Sequence, residues 1–216
     1  MSHCARKNNQ MPSGPRDKCV MQTEFILPLA TFAFVTSVTP GPNNLMLMAS
    51  GANFGFRRTV PHMLGVALGF VFLAIVVGLG LASLFAQWPG LYDVLMVVSV
   101  VYLVWLAWRI ANAGQPGAGD AAARPMSFLE AAAFQWVNPK AWAMALTAVT
   151  VYAPEPGMLA VFAVAMIFGA INLPSVGSWC LLGVRIRTFL TSPYRLRGFN
   201  WTMGVLLIGS LCPMLA

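Results

Sequence analysis

The segment FLEAAAFQWVNPKAWAMALTAVTVYA, residues 128–153, decides how this chain is read. It is long enough to cross a bilayer, yet it carries one basic side chain, Lys140, directly after Asn138 and Pro139. An ammonium at bilayer depth is costly, and a helix-interrupting proline beside it adds backbone groups that lack partners. Residues of this expense mark a binding or conduction site by default, which points to a membrane transporter.

The rest of the chain fits the same solvent. Hydrophobic residues are 58% of the 216 and charged residues 9%, against roughly 25% charged in a soluble domain. Too little polar surface remains for a water-soluble globule, and the lipid bilayer is the expected partner. Apolar spans of about 20 residues fall near 25–50, 64–86, 91–112, 128–153, 157–182 and 198–215. That is one all-α, six-helix transmembrane domain over residues 21–216, with no room for a soluble catalytic domain and no catalytic residues expected.

The net charge of +7 raises the question of nucleic acid, and the positions of the charges answer it. Of 13 Lys and Arg, four lie in the first twenty residues (Arg6, Lys7, Arg16, Lys18) and one is Lys140. The other eight fall in three alternate loops: Arg57 and Arg58; Arg109 and Arg124; Arg185, Arg187, Arg195 and Arg197. The connections near 87–90 and 154–156 and the C-terminus carry none. Such alternation is a positive-inside pattern that places the three basic loops in the cytoplasm and both termini outside. A nucleic-acid surface would not alternate in this way.

Residues 1–20, MSHCARKNNQMPSGPRDKCV, lack the apolar core of a signal peptide. They are expected to be disordered or untranslated, with Met21 as the favoured start. Cys4 and Cys19 belong to this tail, and Cys180 and Cys212 are isolated in apolar spans, without a CxxC pair or metal-ligand spacing. No metal site and no cofactor are expected.

Two prolines-and-asparagines clusters interrupt the spans: Thr39-Pro40-Gly41-Pro42-Asn43-Asn44 in the first and Gln135-Trp136-Val137-Asn138-Pro139-Lys140 in the fourth. Proline removes a backbone donor and clashes with the preceding turn. In a membrane, broken backbone persists only where it is buried in protein or lines a watery cavity, so both segments are candidate linings of one central site. They fall in the first and fourth helices, the first members of two three-helix halves, which an odd span count turns into inverted repeats.

The pieces after Pro42 and Pro139 start new helices, with Asn138 suited as N-cap and Pro139 as first helical residue. Their free amides and positive dipole ends favour an anion, to which Lys140 adds a full charge. Carbonyls left free before the breaks, with the oxygens of Asn43, Asn44 and Gln135, accept from a cation. A zwitterionic amino acid satisfies both sets, and the substrate-binding residues are Pro40, Gly41, Pro42, Asn43, Asn44, Gln135, Asn138, Pro139 and Lys140. Thr39, Trp136, Trp142, Asn172 and Ser175 are candidate cavity lining, Asn172, Ser175 and Ser178 sharing one helix face that serves equally for helix–helix hydrogen bonds. Gly65 and Gly69 read as helix packing, and His62, beside Arg57 and Arg58, as a solvated loop residue.

TPGPNN, NFGFRRTVPHMLGVALG running into the second span, YLVWLAWRIA closing the third and FQWVNPKAW in the fourth together resemble the lysine exporter (LysE) superfamily. The branch resembled is the homoserine/threonine-resistance (RhtB) type, and TPGPNN with NFGFR and WLAWRIA also resembles the cysteine/O-acetylserine exporters. The resemblance implies a bacterial inner-membrane exporter of small neutral amino acids, secondary active, with protons as coupling ion. The acidic residues Asp17, Glu24, Asp93, Asp120, Glu130 and Glu155 all fall near span ends or in loops, so no buried carboxylate offers coupling, Lys140 is the titratable group at depth, and facilitated efflux stands as the alternative to proton drive. The alternatives of similar topology are a thiol-disulfide carrier, which needs a reactive Cys in each interrupted helix, and a divalent-cation exporter, which needs carboxylates or thiolates in the spans. Assembly into a homo-oligomer is left open.

Overall fold

The computed structural model describes residues 15–88, 90–113, 124–153 and 157–212. All regular structure among them is helical. The elements are α1 (Pro15–Val38), α2 (Pro42–Phe54), α3 (Phe56–Val76), a π-helical turn (Val77–Leu81), α4 (Ala82–Gln87), α5 (Gly90–Ala111), α6 (Phe128–Phe134), a 3₁₀ turn (Gln135–Val137), α7 (Pro139–Tyr152), α8 (Met158–Arg187) and α9 (Pro193–Gly209). Gly55, at φ 81°, makes the tight corner between α2 and α3, a backbone region that side chains rarely enter.

Both expected breaks are present. Pro40 and Pro42 divide the first span, and α1 and α2 meet with a bend of 54°. In the other break α6 tightens into the 3₁₀ turn, Asn138 goes extended (φ −96°, ψ 105°), and α7 restarts at Pro139. Proline is tolerated at the first helical position because its missing N–H has no partner there anyway.

The long helix α8 lies at the centre, packed on α1, α2 and α3, while α6 lies against α3 and α9 against α5. Glycines set these approaches. A Cβ on Gly183 would fall 2.0 Å from the Met48 carbonyl oxygen, and one on Gly51 would fall 2.2 Å from that of Cys180, so α2 and α8 cross backbone to backbone. Gly65 and Gly69 play the expected packing part, with a Cβ on each falling 2.3 Å from the Phe128 carbonyl oxygen and 2.6 Å from the Ala132 Cα. Lipid tails are as apolar as leucine, so close packing of small residues is what holds such helices together.

The outside of the molecule is apolar, unlike that of a soluble domain. Exposed side chains include Val94, Val97, Val101, Val104 and Trp108 along one stripe of α5, and Leu64, Leu68 and Phe72 along α3. The buried set includes Ser37, Asn44, Ser50, Asn53, His62, Gln135, Asn138, Asn172 and Asn200. An apolar exterior is the arrangement a bilayer demands, and these polar groups are set within a core that is otherwise apolar.

Against the expected six spans, three helices are long and apolar enough to cross alone: Phe56–Leu81, Gly90–Ala111 and Met158–Arg187. The bent pair Phe25–Val38 and Pro42–Phe54 makes up to four. The break at 135–138 leaves α6 and α7 short, and α9 has 17 residues. The second helix starts at Phe56 rather than near residue 64, so His62 is helical and 1% exposed, not a solvated loop residue. Helix α1 begins at Pro15; residues 1–14, on which the rest of the expected tail falls, and the connections at Pro89 and 154–156, expected to face outward, lie outside the described residues.

The glycine crossings give a direct check. Gly183→Ala must push α2 from α8 and is expected to cost about 1–3 kcal/mol, whereas Gly198→Ala enters open space and is expected to be neutral. Thermal unfolding of the detergent-purified variants measures both; equal melting temperatures would contradict the backbone-to-backbone crossing.

Candidate functional site

The two breaks face each other. Lys140, in the first turn of α7, extends its Nζ to donate to the carbonyl oxygen of Thr39, just past the end of α1, at 2.7 Å. The C-terminal carbonyls of a helix carry negative partial charge, and an ammonium is a favourable cap for them. Gly41 makes this reach possible, since a Cβ there would lie 2.9 Å from Lys140 Cδ and 3.1 Å from Nζ.

A second link crosses the same gap. Asn43 donates through Nδ2 to Gln135 Oε1 at 2.9 Å, and Gln135 donates back through Nε2 to Asn43 Oδ1 at 3.2 Å and to the Ala131 carbonyl at 2.9 Å. Asn44 spends both amide protons on the end of α1, donating to the carbonyls of Ser37 (2.7 Å) and Thr39 (2.9 Å). From α8, Asn172 donates to Ser37 Oγ at 3.1 Å. Its Oδ1 is buried and has no partner among the described residues.

The helix starts differ in a useful way. Asn138 caps α7, its Oδ1 accepting from the Lys140 backbone N–H at 3.2 Å. At α2 the N-cap is Gly41, which brings no side-chain acceptor, so the first-turn amides of α2 are available to an anion. Between the breaks lies a cavity of about 20 Å³ bordered by Ser37, Asn43, Asn44, Gln135, Lys140 and Asn172. That is room for about one water.

Some expected site residues sit elsewhere. Trp142 is buried, donating through Nε1 to the Trp136 carbonyl at 2.9 Å and stacking near Phe85, and neither tryptophan borders the cavity. Ser175 turns its hydroxyl back to the Ile171 carbonyl. Pro40 is exposed, and Thr39 contributes its carbonyl. The carbonyls before the first break, expected to be free for a cation, are occupied: Ser37 and Thr39 as above, and Val38 by Trp179 Nε1 at 3.2 Å. Buried carbonyls are nearly always paired, and here the protein supplies the partners itself. Sequence reasoning missed Ser37, whose signal was a hydroxyl in an apolar span just ahead of the break.

Residues 34–211, which contain both breaks, match the family model described as LysE type translocator. The chain belongs to the LysE type translocator family. The chain is 28% identical to the "Cysteine/O-acetylserine efflux protein" of Klebsiella pneumoniae subsp. pneumoniae over 193 residues, 87% of this chain and 95% of the relative. It is 31% identical to the protein of the same description from Escherichia coli (strain K12) over 155 residues, 71% of this chain and 79% of the relative. No solved structure matches the chain. As a LysE type translocator it is a membrane transporter and not an enzyme, with a cavity that joins its two interrupted helices.

The Asn43–Gln135 link is testable without a transport assay. Asn43→Ala and Gln135→Ala each strand a polar partner, at about 1–3 kcal/mol, while the double variant loses less than the sum, with a coupling of about 0.5–3 kcal/mol. Additive losses in unfolding of the purified translocator would show that the two carboxamides do not pair.

Proposed function

We propose that this translocator exports small neutral amino acids or their derivatives, of the cysteine/O-acetylserine or homoserine/threonine class, across a bacterial inner membrane. The observation that carries the reading is the pairing of Lys140 and the uncapped start of α2 around a cavity that also holds an orphan acceptor, Asn172 Oδ1. Half-helix N-termini directed at a substrate carboxylate are a recurrent design in transporters built on broken helices. The printed descriptions of the Klebsiella and Escherichia relatives support the substrate class.

In this mechanism the substrate carboxylate takes the ammonium of Lys140 and the first amides of α2. Lys140 then leaves the Thr39 carbonyl, which passes to the substrate's ammonium together with Asn172 Oδ1. The exchange replaces one charge-assisted hydrogen bond by several, and it loosens the tie between the end of α1 and the start of α7 at the moment of loading. The spans form six crossings in two inverted three-helix repeats, both termini are outside, and the proton gradient drives export.

A substrate with a second ammonium meets Lys140 at like charge. At about 4 Å and an effective dielectric of about 20 the repulsion is about 4 kcal/mol, so lysine and arginine are excluded. In everted vesicles, labelled cysteine, O-acetylserine, homoserine or threonine accumulates in a gradient-dependent manner and lysine does not; accumulation of lysine alone would overturn the substrate class.

Lys140→Ala and Asn43→Ala are expected to abolish uptake while the protein still accumulates in the membrane. Lys140→Arg loses most of it, because a planar fork does not replace a compact ammonium beside Gly41. Trp142→Phe is mild, since its ring is away from the cavity. Wild-type uptake by Lys140→Ala would leave the lysine a structural cap of α1.

Topology is checked by reporter fusions: those at Gln115 and Pro193 are expected to report cytoplasm, and those at Pro89 and Pro156 the outer side. A cytoplasmic signal at Pro156 would contradict six spans with both ends out.

A further inference from the structure

A larger cavity, of about 230 Å³, lies at the basic end of the molecule, between the C-terminal half of α2, the end of α5 and residues 124–126. It is more than tenfold the size of the cavity at the breaks. It is still smaller than the roughly 300–1,000 Å³ of drug-sized pockets, which suits a ligand of amino-acid dimensions. Its lining mixes charge and polarity: Arg109, Arg124, Ser50, Asn53 and His62.

His62 is the unusual member. It is 1% exposed and both ring nitrogens are buried without a partner among the described residues. A neutral imidazole carries one donor and one acceptor, and leaving both unmade costs about 1–3 kcal/mol for each group. Two of its polar neighbours, Arg124 and Asn53, already have partners. Arg124 holds Glu130 with two bonds of 2.6 and 2.7 Å, and Asn53 and Asn200 bond each other reciprocally. Thr59 donates its hydroxyl proton to the Gly55 carbonyl, so the 2.9 Å contact with Ser50 uses the proton of Ser50 and leaves that oxygen without a donor among the described residues. Arg109 rests on the Trp105 ring at 5.1 Å and forms no ion pair among the described residues.

The cavity and the central site share a helix. Asn43, Met46, Ser50 and Asn53 follow one another at three- and four-residue steps, hence on one face of α2, from the break at one end to the large cavity at the other.

We propose that this cavity is a second binding site, on the cytoplasmic side, for a zwitterionic amino acid awaiting export. Arg109 takes the carboxylate, His62 hydrogen-bonds the ligand with both nitrogens, and Ser50 Oγ accepts from its ammonium. The inference rests on the export reading and deepens it: substrate binds here before the helices part at the break.

The test uses O-acetylserine as probe and the full chain in everted vesicles, with native cysteines replaced by alanine and Ala113→Cys introduced on the cavity wall. A membrane-impermeant thiol reagent labels this cysteine from the cytoplasmic face, and O-acetylserine slows the labelling at least severalfold. The protection persists in a Lys140→Ala background, where the central site is disabled. Absence of protection, or protection only with Lys140 intact, overturns the second site. Uptake kinetics give an independent arm: His62→Leu raises KM for O-acetylserine at least fivefold with kcat changed less than twofold, and His62→Gln restores much of the loss. Equal KM in wild type and His62→Leu overturns the assignment. If the wild type takes up no O-acetylserine although Ala113→Cys is protected, the export reading fails and the binding site remains.

Discussion

One hydrogen bond organises this structure: the ammonium of Lys140 on the carbonyl of Thr39. It joins the C-terminal end of one interrupted helix to the start of another across a gap of about a hundred residues in sequence, and each side of the bond solves the other's problem. The carbonyl at the end of α1 has lost its helical partner to the prolines that follow, and the ammonium has no carboxylate beside it among the described residues. Gly41 has no side chain because Lys140 lies against it. Asn44 reinforces the same carbonyl, and Asn43 and Gln135 fasten the two breaks a second time.

These polar ties are affordable only because the helices around them are packed tightly enough to exclude lipid. Backbone-to-backbone crossings at Gly51 and Gly183 bring α8 against α2, and α8 also delivers Asn172 to the gap. The apolar faces of α3 and α5 point outward. An interface held by hydrogen bonds between carboxamides is also reversible: each bond has a water- or ligand-borne substitute of similar strength. In the proposed mechanism the residues that close the cavity are therefore also the ones through which a ligand with an anionic and a cationic end opens it.

Much of this was legible in the sequence, and the reasons are local. Pro40, Pro42 and Pro139 announce their breaks because proline's effect on the backbone does not depend on tertiary context. Asn138 and Pro139 announce a helix start, and the capping bond to the Lys140 amide is there. The basic ends of α5 and α8 come close to the end of α2, Arg109 and Arg124 flanking one cavity with it and Arg187 reaching Gly55. What was not legible depends on partners distant in sequence. Nothing in the order of residues says that Asn44 and Trp179 fill the carbonyls before the break, or that Trp142 turns to Phe85 rather than to the cavity. His62 looked solvated beside Arg57 and Arg58, yet in the folded chain it is buried beside a cavity lined by α2, the end of α5 and residues 124–126.

The central claim is that the substrate carboxylate displaces Lys140 from Thr39. The most direct measurement is competition for uptake of labelled O-acetylserine by unlabelled O-acetylserine and by its methyl ester, which keeps the ammonium and the side chain but carries no negative charge. The account predicts that the ester competes at least a hundredfold more weakly, matching the loss of a charge-assisted contact worth about 3 kcal/mol. Equal competition by acid and ester would contradict it, and would leave Lys140 as a helix cap with no part in holding the substrate.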